Sequence, residues 1–142
     1  MLRLSRFALV LMLTATTAAC GGDGDTPTAP SLGIPYSATD LVVGTGNPAI
    51  LGRSITVAYT GWLYSTTAAE NKGSSFDANP SYQLTHGVNV IAGFTQGING
   101  MRVGGRRRVV IPPELGYGTA GSPPRIPGNA TLIFEIELTA AQ

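Results

Sequence analysis

Ionisable and redox-active side chains are scarce in this chain of 142 residues: charged residues are 12% of it, with one His and one Cys. A lone Cys and a lone His exclude a cysteine–histidine zinc site, an internal disulfide and a redox pair. A His-dependent nucleophilic triad would have to run through His86. Lys and Arg number 9 against 8 Asp and Glu, a net charge of +1, so no field of one sign draws in nucleic acid or an anionic membrane surface. No apolar run approaches the roughly 20 residues that cross a bilayer. What the chain does have is apolar residues, 43% of the total, and turn formers, with 19 Gly and 10 Pro. That apolar content is too high for a disordered polymer, and the length suits one domain.

Residues 1–19 read as a signal peptide. Arg3 and Arg6 precede the apolar stretch Phe7 to Leu13, and small residues follow as far as Ala19. Cys20 after Thr17-Ala18-Ala19 resembles the lipobox of bacterial lipoproteins, in which the cysteine becomes the acylated N-terminus. Plain cleavage after Ala19 is the alternative. Gly21 is not the Asp that favours inner-membrane retention. The resemblance therefore implies an exported protein, lipid-anchored on the periplasmic side of a bacterial envelope, with the outer membrane favoured. Residues 20–33 offer almost nothing to bury and read as a flexible tether. The folded domain is expected over 34–142, as a monomer.

Leu132, Phe134, Ile136 and Leu138 alternate with Ile133, Glu135, Glu137 and Thr139, the pattern of a strand with one buried and one wet face. Ile55, Val57, Tyr59 and Leu63 predict a second strand, and Arg107, Val109 and Ile111 a third. Leu41 to Val43 and Tyr82 to Thr85 are weaker strands. Ile91, Phe94, Ile98 and Met101 fall at helical spacing, but Gly93 and Gly97 disfavour an isolated helix, so packing must hold it. The fold class is α+β, an antiparallel sheet packed on one short helix.

Three motifs lose their meaning in context. Gly44-x-Gly46 opens no helix and is followed by Pro48, so it is no phosphate loop. Arg106-Arg107-Arg108 lies on a strand, where alternate side chains point to opposite faces and split the charge into a solvated surface. His86, between Thr85 and Gly87, reads as an exposed loop histidine.

A longer series of segments then falls in order. Val57-Ala-Tyr59-Thr-Gly61 precedes Phe76-Asp77, Val90-Ile91-Ala-Gly93-Phe94 and Gly97-Ile98-x-Gly100-Met101-x-Val103-Gly104. Ile111-Pro112-x-Glu114, Leu115-Gly-Tyr117-Gly118 and Ile126-Pro127-x-Asn129-Ala130-Thr131-Leu132-Ile133-Phe134 complete it. The set resembles an FKBP-type peptidyl-prolyl cis–trans isomerase from about residue 36 to the C-terminus. The resemblance implies an antiparallel half-barrel β-sheet wrapped around one short α-helix. It implies a pocket with Phe94 as floor and Tyr59, Phe76 and Phe134 as walls, completed by Val90 and Ile126. The Ile91 N–H and Tyr117 hydroxyl would bind substrate carbonyls, with Asp77 at the rim beside Tyr59. Proline-containing polypeptides and the family's macrolide inhibitors are the implied partners, and no cofactor or metal is implied. The segment from Gly61 to Phe76 is longer than in the smallest members, Pro80 stands where a wall Phe is frequent, and Ser122 stands where some members have His.

Each of these residues also has a plainer reading. Tyr59, Phe76, Phe94 and Phe134 suit a core, Ile98 suits pure packing, and Asp77 suits a turn. The activity in prospect, twisting an amide, needs no nucleophile, which agrees with the scarcity of ionisable groups. A proline-directed holdase that binds but hardly turns over is the alternative, favoured by the long segment and by Pro80.

Overall fold

The computed structural model describes residues 31–142; the expected signal peptide, Cys20 and most of the expected tether lie outside the described residues. The elements run β1 (Ser37–Val42), β2 (Ser54–Tyr64), β3 (Lys72–Thr85), α1 (Ala92–Ile98), β4 (Arg106–Ile111) and β5 (Leu132–Ala141). The strands form one antiparallel sheet in the order β1-β4-β5-β2-β3. The sheet curls around α1, so the fold is an α+β half-barrel wrapped on one short helix.

Alternation in β5 sets the inside of the sheet. Leu132, Phe134, Ile136 and Leu138 are all buried on the helix side, beside Ile55 and Val57 of β2 and Val109 and Ile111 of β4. Each such side chain contributes about 1.5–3 kcal/mol when fully buried. The opposite face is drier than the alternation predicts. Ile133 is buried, and Glu135 is held under Lys72 and Arg108 at 2.8 and 2.9 Å. Glu70, from the 3₁₀ turn Ala69–Asn71 at the tip of the β2–β3 hairpin, closes this network. Lys72 Nζ also lies 4.8 Å above the Trp62 ring.

Two strands differ from expectation. β1 starts before Leu41, at Ser37, and ends at Val42, and every residue in it is exposed, since an edge strand held by its ladder to β4 needs no buried side chain. β3 runs far beyond Tyr82 to Thr85, starting at Lys72, although little in it alternates. Its pairing with β2 supplies what its side chains do not, and Pro80 is tolerated because β3 is the other edge.

The helix depends on its glycines. A Cβ on Gly93 would overlap the side chain of Ile111, and one on Gly97 would lie 2.6 Å from Val109 Cγ2. Both positions press helix backbone onto β4. Arg107 secures the far end of α1, its Nη1 donating to the Gly97 and Asn99 carbonyls at 2.9 and 2.8 Å while its Nε donates to Asp40 of β1. The basic triplet is thus committed to structure at two of its members, because Arg108 pairs with Glu135 on the outer face.

His86 corrects the expectation of an exposed loop residue. It is 0% exposed, beneath the turn Thr85–Val88, and its Nε2 donates to the Thr95 carbonyl of α1 at 3.2 Å. Nδ1 has no partner.

Candidate functional site: an aromatic cavity between sheet and helix

At the open end of the half-barrel, β2, β3, β5 and α1 surround a cavity of about 410 Å³. Register explains the convergence. Gly61 of β2 pairs with Phe134 on one side and Asp77 on the other, and irregular pairings flank Tyr59 to Gly61. Such bulges re-aim side chains at the rim of a curled sheet. Gly61 itself makes the room, since a Cβ there would sit 2.6 Å from Phe76 Cζ and 2.9 Å from Phe134 Cε1.

Five rings meet edge to face. Phe94 stands 5.6 Å from Tyr59 and 5.3 Å from Phe134, with planes near perpendicular in both pairs. Phe76 meets Phe134 at 5.5 Å and 84°. Tyr82 packs on Tyr59 at 5.8 Å. Tyr59, Phe94 and Phe134 each touch at least two other rings, so the centre of the cluster is fixed, as T-shaped pairs allow.

Polar groups are few and lie at the rim. The Tyr59 hydroxyl donates to Asp77 Oδ2 at 2.7 Å. Burial, and then the Asp77 carboxylate, push the Tyr59 phenol well above its ordinary range, so it remains a donor throughout the physiological range. Burial also raises the Tyr117 phenol, with Asp77 adding to the shift. Ile91 begins α1 in an extended conformation. Its carbonyl accepts from Phe94 and Thr95, and among the described residues its N–H has no acceptor.

Eight of the nine candidate residues within the described part line this cavity: Tyr59, Phe76, Asp77, Val90, Ile91, Phe94, Tyr117 and Phe134. The ninth, Ile126, is buried and lines an adjoining groove with Phe76 and Tyr117. Cys20 lies outside the described residues. Asp77 is on a strand, not in a turn. Tyr82 and Asn89 line the cavity without having been singled out. For Tyr82 the signal was available, an aromatic two residues from Leu84 in a candidate strand; Asn89 reaches the rim through a positive φ of 56°, which nothing nearby foretold. Pro80 lies instead beside Ala58, Thr60 and Glu137 on the outer side of the sheet.

Comparison with known proteins supplies a family. A family model described as FKBP-type peptidyl-prolyl cis–trans isomerase matches residues 46–139. The chain is 47% identical over 100 residues to an FK506-binding protein of Neisseria meningitidis serogroup A, covering 70% of this chain and 89% of that one. It is similar in structure to a peptidyl-prolyl cis–trans isomerase from Pseudomonas syringae, with a TM-score of 0.65, 30% identity and 82% of each chain covered. FkpA from Escherichia coli matches with the same TM-score of 0.65 and 29% identity, over 82% of this chain and 52% of that one.

Proposed function

The chain belongs to the FKBP-type peptidyl-prolyl cis–trans isomerases, and on that premise we propose that it isomerises Xaa–Pro bonds of exported proteins by seating the prolyl ring in the cavity around Phe94. The observation that carries this reading is the cavity itself, apolar rings below and one tyrosine–carboxylate pair at the rim.

An Xaa–Pro bond turns over a barrier of roughly 18–20 kcal/mol set by amide resonance, and no bond is made or broken. In the twisted state that resonance is gone and the carbonyl is less dipolar. A water-poor pocket therefore disfavours the planar amide more than the twisted one, which is differential binding of the transition state. Phe94, Tyr59, Phe76 and Phe134 supply the dryness and grip the pyrrolidine. The free Ile91 N–H and the Tyr117 hydroxyl hold substrate carbonyls, and Asp77 faces the carbonyl that rotates.

Phe94→Ala and Asp77→Ala test this in an exchange assay on a Xaa-Pro peptide. Each is expected to lower kcat/KM by at least about tenfold, and parent rates in both would sink the reading. The same assay separates the holdase alternative, in which the parent binds the peptide without accelerating exchange. The family binds FK506-type macrolides, and this cavity is the place where we expect one to compete with peptide. Export and lipid anchoring through Cys20 rest on the N-terminal sequence; Cys20→Ser is expected to release the protein from membranes, and a variant that stays bound would refute the anchor.

A further inference from the structure

Two further recesses open off the rim of the aromatic cavity, and Arg125 stands in the wall of both. One, of about 510 Å³, lies between Arg125 and the lengthened part of the β2–β3 hairpin, at Leu63, Ser74 and Ser75. The other, of about 260 Å³, runs beneath Ser122–Ile126 beside Tyr117. Phe76 and Asp77 line all three spaces. Residues flanking a proline held at Phe94 therefore have these two recesses to enter, since each extended residue advances about 3.3 Å.

Arg125 differs from Arg107 and Arg108 in charge balance. Arg107 and Arg108 are both neutralised, by Asp40 and by Glu70 with Glu135. Arg125 is exposed and makes a single bond, Nη1 to the Phe76 carbonyl at 3.1 Å, and among the described residues no carboxylate pairs with it. That bond fixes the guanidinium against β3 and leaves most of its five N–H donors unspent. The other charge on the rim, Asp77, already accepts the Tyr59 hydroxyl. Asp77 and Arg125 thus put opposite charges on the walls of the same two recesses, and the unspent fork of Arg125 is the group there that can hold a substrate carboxylate.

We propose that Arg125 is a specificity-determining residue, selecting polypeptides that carry an Asp or Glu side chain near the proline, on the side that runs past the lengthened hairpin. The inference rests on the proline-binding reading of the cavity and goes beyond it, because it assigns a preference to residues outside the prolyl ring. It also gives the lengthened hairpin a role, as the far wall of the recess that receives the acid.

The test uses the full-length protein and a protease-free exchange assay on Leu-Pro peptides carrying Glu, Gln or Lys two residues before or two residues after the proline. At one of the two placements the Glu peptide is expected to exceed its Gln counterpart in kcat/KM by about three- to fivefold at low salt, as a partly exposed charge pair allows. The Lys peptide falls below Gln at that placement, and high salt shrinks both differences. In Arg125→Gln the Glu/Gln ratio falls to one, whereas Arg125→Lys keeps part of it. Using the ratio removes any general effect of losing the bond to Phe76. A ratio of one at both placements in the parent, or a ratio that survives in Arg125→Gln, overturns the proposal while leaving the isomerase reading intact. A parent that accelerates no peptide overturns both.

Discussion

The Tyr59 hydroxyl reaches from β2 to Asp77 on β3 at 2.7 Å, so a ring of the cavity wall holds the carboxylate of the rim. Burial, then the bond and charge of Asp77, raise the Tyr59 phenol. At neutral pH folded and unfolded chains both carry the proton, and the linkage is silent. Above about pH 10 the unfolded chain releases it first, so stability falls as pH rises towards the folded value. Tyr36 and Tyr117 are raised as well, with burial the leading cause, and act in the same direction. The urea midpoint is expected to be level through neutral pH and to decline in alkali, with a shallower decline in Tyr59→Phe. Parallel curves for the two proteins would contradict the assignment.

The outer face makes the opposite prediction for acid. Burial alone would raise the Glu135 carboxyl, but hydrogen bonds from Lys72 and Arg108 outweigh it and the group is held low. A depressed carboxyl contributes stability above its unfolded value of about 4.3 that disappears as pH falls through the folded one. Glu135→Gln is expected to cost roughly 1–2 kcal/mol at neutral pH, the bonds being charge-assisted yet partly exposed. It should cost much less in acid. Urea titrations at the two pH values check it, and an equal loss at both would show that packing, not charge, is what Glu135 supplies.

The parts of this fold that were legible are those in which side chains carry the information. β5 alternates because one face meets the helix, and the glycines of α1 follow from its close approach to β4. β3 was mostly illegible, since an edge strand paired along its length with β2 needs no periodicity of its own. The aromatic residues of the site were visible as residues, but only the family pattern distinguished a pocket from a core. Both readings describe the same rings, and what separates them is the space left at the open end of the sheet. Arg125 and Asn89 escaped notice because loop conformation, not pattern, brings them to the rim.

His86 shows the same limit and is testable. A polar residue between Thr85 and Gly87 suggests solvent, yet the turn folds it against α1, where Nε2 meets the Thr95 carbonyl. His86→Ala removes that donor and leaves a void, although the Thr95 carbonyl keeps the Asn99 N–H. A loss of about 2–3 kcal/mol is expected, most of it from the void. Chemical denaturation measures it, and a loss within the range of a surface substitution would return His86 to the surface.

At Gly97 two effects of opposite sign compete. Alanine would improve helix propensity by up to about 1 kcal/mol. Its Cβ, however, would lie 2.6 Å from Val109 Cγ2, on a buried strand that has no room to retreat. Overpacking of this kind costs about 1–3 kcal/mol. Gly97→Ala is therefore expected to destabilise, and the Gly97→Ala/Val109→Ala pair to lose less than the sum of the single variants. Simple additivity would mean that the helix does not depend on this contact.

Gly61 puts the same steric argument inside the cavity. A Cβ there meets Phe76 Cζ at 2.6 Å and Phe134 Cε1 at 2.9 Å, and both rings are already braced, against each other and, for Phe134, against Phe94. The rings have one direction in which to yield, into the space proposed for the prolyl ring. Gly61→Ala is thus expected to lower kcat/KM for Xaa-Pro exchange by about tenfold or more, since displacements near 1 Å suffice for such losses. Measured well below the melting temperature, that loss would exceed anything attributable to the unfolded fraction. A folded Gly61→Ala protein with parent kcat/KM would mean that proline is turned elsewhere on the molecule.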